Sequence, residues 1–219
     1  MIPKIELKIK EISEELADQP LNKKASDIDQ MTSFLDRMRV QVDALAFDAS
    51  QVTKFQESLN LERTNFEKLD IFKSEFKDID SLWQSRKQWR NALAQWQDQH
   101  FQKLDTEQMA VTVEKLSKTA NLLHKNLEGN EVGRVFKKDV DDYKGMVALL
   151  ISLREPTLKE VHWVEIRKII GVLKNGSLAF EALSDPKYTV EWIDKNGILA
   201  YKEKIGDIAL RSLKEVELI

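Results

Sequence analysis

The chain has 219 residues, 42% of them hydrophobic, which is enough for a buried core in one large or two small domains. Its net charge of −3 argues against nucleic-acid binding, which uses a strongly basic face. The sequence contains no cysteine, and this excludes disulfides and thiolate chemistry. No apolar run approaches the length of a membrane span, and the start, "MIPKIELKIKEI", lacks the apolar core of a signal peptide.

The scarcity of glycine and proline indicates a helical protein. The chain has 7 Gly and 4 Pro, and residues 21–128 contain neither. A β-sandwich or an α/β fold of this length needs many turns, and turns use these two residue types. We therefore predict an all-α fold, an elongated array of antiparallel helical bundles with long helices in the first half and shorter, angled helices in the second.

Apolar stripes define the long helices in chain order. Hydrophobic residues step by three and four along residues 28–45, 69–83 and 109–127, so that each set lies on one face of a helix. Such stripes bury against other helices, as in bundles and coiled coils. One helix cannot run through the whole region, so we predict breaks at the polar clusters "LNLERTN" (59–65) and "KLDTEQ" (103–108).

Capping residues place the helix ends in the middle of the chain. Asp105 is predicted to cap the third long helix with Gln108 as its reciprocal partner, and Gly129 to end that helix. The next helix is predicted over residues 131–153. Pro156 ends it, because the residue before a proline avoids the helical region.

A shorter helix is predicted to follow this proline. Thr157 and Glu160 have the spacing of a capping box at its start. The helix carries His162 and Trp163, and it meets Gly171.

The last segments complete the predicted organisation. "LSDPKYTVEWIDKNG" predicts a turn and a short helix that ends at Gly197, and a last helix begins near Ile198. Its stripe comprises Ile205, Ile208, Ala209, Leu213 and Val216. The final residues "KEVELI" are still patterned, so we expect the chain to be a fragment of a longer protein. We predict a long-helix bundle over residues 1–128 and a shorter-helix portion of the same structure over 129–219.

Two motifs could carry chemistry, and each has a simpler structural interpretation. His162 and Glu165 in "HWVE" share a helix face and could ligate a metal, but a site needs three or four ligands. His100 and His124 sit in other helices without matching partners, so His162 is interpreted as a packing histidine. "GVLKNGS" (171–177) has the glycine spacing of a phosphate loop, but Ser stands where Lys is required. We interpret it as a helix end followed by a turn.

The tryptophans of the middle region are interpreted as core residues. Trp89, Leu93 and Trp96 lie on one helix face, close to Trp83 in sequence. Their flanks are Gln, Asp and Asn rather than Arg and Lys, which disfavours base stacking. We predict packing between helices, with each indole N–H finding a partner at the rim. Because no triad order, carboxylate pair or Gly-rich cradle stands out, we predict no catalytic residue, no cofactor and no metal.

Three segments resemble, in the right order, the N-terminal part of the linker region of dynein heavy chains. They are "LWQSRKQWRNALAQWQDQHFQKLDTEQM", "VALLISLREPTLKEVHWVEIRKIIG" and "YTVEWIDKNGILAYKEKIGDIALRSLKEVEL". The first resembles the family's tryptophan-bearing helix, and the second its Leu-Arg-x-Pro … Arg-His-Trp segment. The resemblance is strongest from Leu82 onward and is closer to ciliary and flagellar dyneins than to the cytoplasmic form. The residues that form this structural signature are Trp83, Trp89, Trp96, Leu153, Pro156, His162, Trp163 and Trp192.

The resemblance implies a mechanical role. In dynein heavy chains the linker joins the cargo-binding tail to a ring of ATPase modules, and it changes between bent and straight shapes as the ring turns over ATP. This movement delivers the power stroke along microtubules, while the linker itself does not hydrolyse ATP. The implied partners are the ring and the tail of the same heavy chain, with the microtubule reached only indirectly and no nucleic acid or membrane. The implied location is the cytoplasmic cytoskeleton, in the axoneme of a cilium or flagellum.

A lever needs stiff bundles and a few places that yield. Glycine removes backbone restraint, so we predict flexing points at Gly129, Gly133, Gly171 and Gly176. The main alternative is an unrelated helical scaffold or tether, spectrin-like or coiled-coil. A pure coiled coil would not contain "LREPTLKEVHW", and this favours the interpretation as a dynein linker. An enzyme is the third possibility, and a screen for nucleotide or metal binding would test it.

Overall fold

The computed structural model of the chain describes residues 2–217. Helices make up 75% of it and no strand forms in this range, which confirms the all-α prediction. The α-helices are α1 (Ile2–Ala17), α2 (Ile28–Ser58), α3 (Glu67–Gln97), α4 (Thr106–Asn126), α5 (Glu131–Leu153), α6 (Glu160–Ile170), α7 (Val190–Lys195) and α8 (Lys202–Glu217). Two 3-10 helices span Phe101–Lys103 and Ile198–Tyr201. Leu218 and Ile219, the end of the last predicted stripe, lie outside the described residues.

Contacts group the chain into two compact units. Unit 1 comprises Met1–Gln88 and Thr119–Lys137, and unit 2 comprises Trp89–Lys118 and Lys138–Ile219. Helices α3, α4 and α5 each contribute residues to both units, so neither unit is a continuous stretch of sequence. The division near residue 128 stays a prediction. None of the helices in the described range is both long and apolar enough to cross a bilayer.

Unit 1 is built on the apolar stripe of α2. The buried side chains of this helix include Met31, Leu35, Met38, Val42, Leu45, Ala49 and Val52. Helix α1 packs against α2 and buries Ile5, Ile12 and Leu16. Asp27 caps α2, because its Oδ1 accepts a hydrogen bond from the Gln30 N–H at 2.7 Å. The spacing of three and four residues therefore produced the buried face that it predicted.

Helices α2 and α3 of unit 1 run antiparallel. Lys87 Nζ lies 3.5 Å from Asp29 Oδ1, and Arg39 Nη2 lies 2.7 Å from Asp80 Oδ1. As residue numbers rise along α2 they fall along α3, which defines the direction. The break between the two helices falls at residues 59–66, as predicted from the polar cluster.

Helices α4 and α5 also run antiparallel, within unit 2. Ser117 Oγ donates to Asp141 Oδ1 at 2.9 Å, and Arg154 Nη1 donates to Thr106 Oγ1 at 3.2 Å. Helix α5 begins and ends at the residues expected from its stripe, Glu131–Leu153.

The predicted cap of α4 is half formed. Asp105 Oδ1 accepts from the Gln108 N–H at 2.9 Å. The Gln108 side chain does not return to Asp105 but donates to Thr112 Oγ1 at 3.5 Å. The N-terminus of α4 is therefore held by a single side-chain cap.

The predicted capping box at the start of α6 is wrong. Helix α6 begins at Glu160, two residues later than a box with Thr157 at the N-cap requires. The Thr157 hydroxyl lies 2.9 Å from Glu155 Oε1 and 2.8 Å from Ser212 Oγ. Glu160 forms an ion pair with Arg167. The bond to Glu155 and the contact with Ser212 on α8 have replaced the predicted cap.

The predicted stripe of α8 is correct only in its first part. Ile205, Ile208 and Ala209 are buried. Leu213 is 38% exposed and Val216 is 45% exposed. Ser212, which lies between Ala209 and Leu213, is buried instead, and its hydroxyl donates to the Ala209 carbonyl at 2.8 Å.

Candidate functional site

Trp83 forms the centre of unit 1. It lies on α3 and is fully buried. Its indole Nε1–H donates to the Leu21 carbonyl oxygen at 3.1 Å, and the Arg86 guanidinium carbon lies 4.9 Å from the ring centroid. The sequence predicted a partner at the rim, whereas the structure places the partner in the interior. Trp83 therefore ties the segment between α1 and α2 to α3.

A bidentate ion pair joins α2 to α3 in the same unit. Arg39 Nε and Nη2 donate to Asp80 Oδ2 and Oδ1 at 2.9 and 2.7 Å, and Asp36 also pairs with Arg39 at 2.9 Å. The hydrogen bonds to Asp80 raise the pKa of Arg39 further above its usual value. This pair could not be predicted from residue spacing, because its members are 41 residues apart.

The first aromatic cluster of unit 2 contains Trp89, Trp96 and Tyr143. The Trp89 ring packs edge-on against Trp96 and Tyr143, with centroids 6.2 and 5.1 Å apart, and Trp96 stacks on Tyr143 at 5.9 Å. Burial raises the pKa of the Tyr143 phenol to about 12, and the charge of Asp194 adds to the effect. The cluster joins α3 to α5.

The second aromatic cluster of unit 2 surrounds Phe180. The centroids of Phe101, Trp163, Tyr188 and Trp192 lie 5.0–5.7 Å from its ring. Trp163 and Trp192 were singled out from the sequence, but Phe180 was not, because it sits in a segment without helical periodicity. The cluster packs α6 and α7 against the first 3-10 helix and the loop that carries Phe180.

Phe180 adopts a left-handed backbone conformation, with φ of 59°. A bulky residue with positive φ is unusual and needs its surroundings to hold it. Here Arg167 Nη1 donates to the Phe180 carbonyl oxygen at 3.0 Å, and the Glu181 N–H donates to the Tyr188 hydroxyl at 3.0 Å. Side chains thus fix the peptide group from both sides.

His162 is 3% exposed and makes two hydrogen bonds. Its Nδ1 accepts from the Lys159 N–H at 3.0 Å, so this nitrogen carries no proton. Its Nε2 then carries the hydrogen and donates to Glu215 Oε2 on α8 at 3.2 Å. His162 therefore satisfies the N-terminus of α6 and connects that helix to α8.

The metal site considered for His162 and Glu165 has no supporting geometry. Glu165 forms an ion pair with Arg211, while His162 bonds to Glu215. Among residues 2–217 no group of three or more His, Asp or Glu side chains is placed to hold a metal ion. The contacts of both side chains join α6 to α8.

The remaining signature residues and the glycines lie in different environments. Leu153 is buried at the end of α5, and Pro156 is exposed in the turn that follows. Three of the four candidate flexing points have positive φ: Gly129 (79°), Gly171 (73°) and Gly176 (82°). Gly133 lies inside the first turn of α5, where its N–H donates to Asn130 Oδ1 at 3.0 Å. The flexing role of these glycines stays a prediction.

Residues 171–178 form a turn, as expected for this glycine-rich segment. Val172 and Leu178 form an isolated antiparallel bridge, and the Leu173 N–H donates to the Ser177 carbonyl oxygen at 2.9 Å. A phosphate loop would place its backbone N–H groups at the start of a helix, and no helix begins here. The geometry is that of a connection between α6 and the second aromatic cluster.

Comparison with known proteins identifies the family. Human dynein axonemal heavy chain 6 is 27% identical over 210 residues, which cover 96% of this chain and 5% of that protein. Mouse dynein axonemal heavy chain 2 is 24% identical over 190 residues, covering 84% and 4%. The dynein-1-beta heavy chain of the flagellar inner arm I1 complex of Chlamydomonas reinhardtii is 21% identical over 124 residues, covering 57% and 3%.

The chain thus spans about one twentieth of the length of the first two of these relatives. All three are axonemal or flagellar heavy chains, in line with the subtype suggested by the sequence. Residues 69–218 match the family model described as dynein heavy chain, N-terminal region 2. The matched range contains both aromatic clusters, the α6–α8 contacts and Trp83. The chain belongs to the dynein heavy chain N-terminal region 2 family.

Proposed function

We propose that the chain is a segment of the linker of an axonemal dynein heavy chain. In this role it couples conformational change in the ATPase ring to movement along microtubules, and it does not itself hydrolyse ATP. The match of residues 69–218 to an N-terminal dynein region carries the proposal. It also sets aside the alternative of an unrelated scaffold or tether.

The long helices suit a part that transmits force. Helix α3 has 31 residues and runs without interruption, which at 1.5 Å per residue is about 46 Å. It is held by Trp83 in one unit and by Trp89 and Trp96 in the other. Bending such a helix means breaking backbone hydrogen bonds and separating close-packed rings, so we expect it to resist load.

The turn after α6 suits a segment that flexes. Gly171 has φ of 73° and ψ of −156°, a backbone region that is open essentially to glycine alone. An added Cβ at Gly171 or Gly176 would meet no atom within 4 Å. Packing therefore leaves both positions free, and the backbone there can change without disturbing a core.

The proposed partners are the ATPase ring and the tail of the same heavy chain. The microtubule is reached only through the rest of that chain. The proposed location is the axoneme of a cilium or flagellum, since the relatives are axonemal and flagellar heavy chains.

The test is made in the full heavy chain that contains this segment. Residues 67–153 are replaced by a Gly/Ser sequence of equal length, which is flexible and cannot transmit force. We expect the motor to continue to turn over ATP while microtubule gliding stops. Continued gliding would contradict the proposal.

A milder variant tests the yielding turn. Gly171→Ala with Gly176→Ala should alter gliding speed, and Gly206→Ala is the control because that glycine lies inside α8 and is not a candidate flexing point. An unchanged speed in the first variant would argue against flexing at this turn.

A further inference from the structure

A groove lies within unit 2, between α3, α5 and α7. Its volume is about 470 Å³. This is within the roughly 300–1,000 Å³ typical of ligand pockets, although the groove is open rather than enclosed. Its apolar lining is formed by Trp89, Leu93, Tyr143, Met146, Val190 and Leu199. We call this surface, together with the charged residues described next, the acid-rimmed groove.

The charged lining of the acid-rimmed groove is mostly negative. Helix α5 contributes Asp139 and Asp142, and α7 contributes Glu191 and Asp194. Among the described residues Lys195 is the one basic side chain in the lining. The groove therefore combines an apolar floor with an excess of carboxylates.

Two ion pairs at this rim are of a weak kind. Asp142 pairs with Lys138, and Glu191 pairs with Lys195 at 2.7 Å, each four residues apart on an exposed helix face. Exposed pairs of this kind contribute little to stability, so an incoming cation can replace them at little cost. Asp194 makes no side-chain hydrogen bond or ion pair with any residue in the described range.

The floor is suited to the apolar stem of a basic side chain. Trp89 and Tyr143 pack edge-on, and both line the groove. Lys and Arg bury their methylene groups along apolar surface while the charged end stays near carboxylates, and aromatic faces attract the same cations. The aromatic floor and the acidic rim thus both favour a Lys or Arg side chain.

We propose that the acid-rimmed groove docks a basic amphipathic helix of a partner protein. Arg or Lys side chains of that helix lie along the rim formed by Asp142 and Asp194, and its apolar residues contact Leu93 and Leu199. Charge complementarity between an acidic rim and a basic helix carries the assignment. The proposal goes beyond the linker role, and it does not depend on which motor contains the chain.

The experiment measures binding of a model helix to the 219-residue chain. The probe is a fluorescein-labelled synthetic peptide with Arg and Leu at helical spacing, and the comparison probe has Glu at every Arg position. Fluorescence anisotropy should show binding of the Arg peptide and at least tenfold weaker binding of the Glu peptide. Raising sodium chloride from about 50 to about 300 mM should weaken the interaction severalfold, because salt screens exposed charges.

A matched pair of double variants locates the site. Asp142→Asn with Asp194→Asn removes two charges from the rim, and we expect binding to weaken about tenfold. Glu14→Gln with Asp18→Asn removes the same charge from the end of α1 and the residue that follows it, and Glu14 also pairs with a lysine four residues away. This control should bind the Arg peptide as the native chain does. Circular dichroism melts check that both variants are folded.

Four outcomes would overturn the proposal. The first is equal binding by the rim variant and the control, which would mean a general charge effect. The second is equal binding of the Arg and Glu peptides, which would mean an apolar surface without charge selection. The third is self-association of the chain, seen by light scattering and lost in the rim variant, which would make a second copy the occupant. Absence of any binding would also contradict it.

Discussion

Replacement of His162 by Ala tests whether this residue holds α6 in place. The substitution removes the acceptor of the Lys159 N–H and the donor to Glu215 Oε2. It also removes a ring that is 3% exposed, which leaves a cavity between α6 and α8. The three losses act on the same helix, so they should appear together as a lower free energy of unfolding.

The size of the effect can be built from these contacts. Loss of a helix cap costs about 1 kcal/mol. The bond to Glu215 contributes about 0.5–1 kcal/mol, at the low end because that carboxylate is 46% exposed. Lost packing of the buried ring adds about 1–2 kcal/mol. We therefore expect His162→Ala to lower the free energy of unfolding by about 2.5–4 kcal/mol.

The assay is urea unfolding of the 219-residue chain, followed by circular dichroism. His162→Gln is the matched variant, because Gln at the third helical position can accept from the N-cap N–H as in a capping box. It should recover about 1 kcal/mol relative to Ala. A loss below about 0.5 kcal/mol for His162→Ala would refute the reasoning, since surface changes have effects of that size. Equal losses for Ala and Gln would show that the cap contributes nothing.

Three further predictions concern other parts of the chain. Trp83→Phe leaves the buried Leu21 carbonyl without its donor, so urea unfolding should show a loss of about 1–3 kcal/mol; a neutral result would contradict the role of this bond. Gly133→Ala should stabilise α5 by about 0.5–1 kcal/mol, because the glycine is helical and its Cβ would meet no atom closer than 3.9 Å. Gly171→Ala should instead lower the free energy of unfolding by about 1–3 kcal/mol, because φ is 73° and ψ is −156°. Stability changes of the same sign in the two glycine variants would contradict both predictions. Burial raises the pKa of Tyr143 from 10.0 to about 12, so the stability it contributes is fully present below pH 10 and is lost as pH rises through about 12. Tyr143→Phe should flatten this pH dependence in unfolding curves, and an unchanged curve would count against it.

Helix positions could be predicted where the signal is local. The stripes of α2 and α4, the cap at Asp105 and the bounds of α5 depend on residues a few positions apart. Glycine and proline are so scarce that the helices have few competing ends. The all-α fold follows from these features with no knowledge of tertiary contacts.

The start of α6 could not be predicted, because its partners come from elsewhere in the chain. Thr157 contacts Ser212, which is 55 residues away, and this contact draws it out of the capping position. His162 then supplies the acceptor for Lys159. A histidine in this role has no sequence signature comparable to the Ser/Thr-x-x-Glu box.

The centre of the second aromatic cluster was missed for a related reason. Phe180 lies in "GSLAFEALSDP", which has neither helical nor strand periodicity. Its burial results from rings contributed by Phe101, Trp163, Tyr188 and Trp192. Only long-range contacts bring these rings together, and spacing in a single sequence does not encode them.

The peptide group between Phe180 and Glu181 has a consequence for the motion of its loop. Both of its polar atoms are bonded to side chains, Arg167 on one side and Tyr188 on the other. Its amide proton should therefore exchange with deuterium as slowly as one in a helix, although it belongs to no regular element. An irregular segment secured in this way behaves as an extension of α6 and follows that helix as a rigid body.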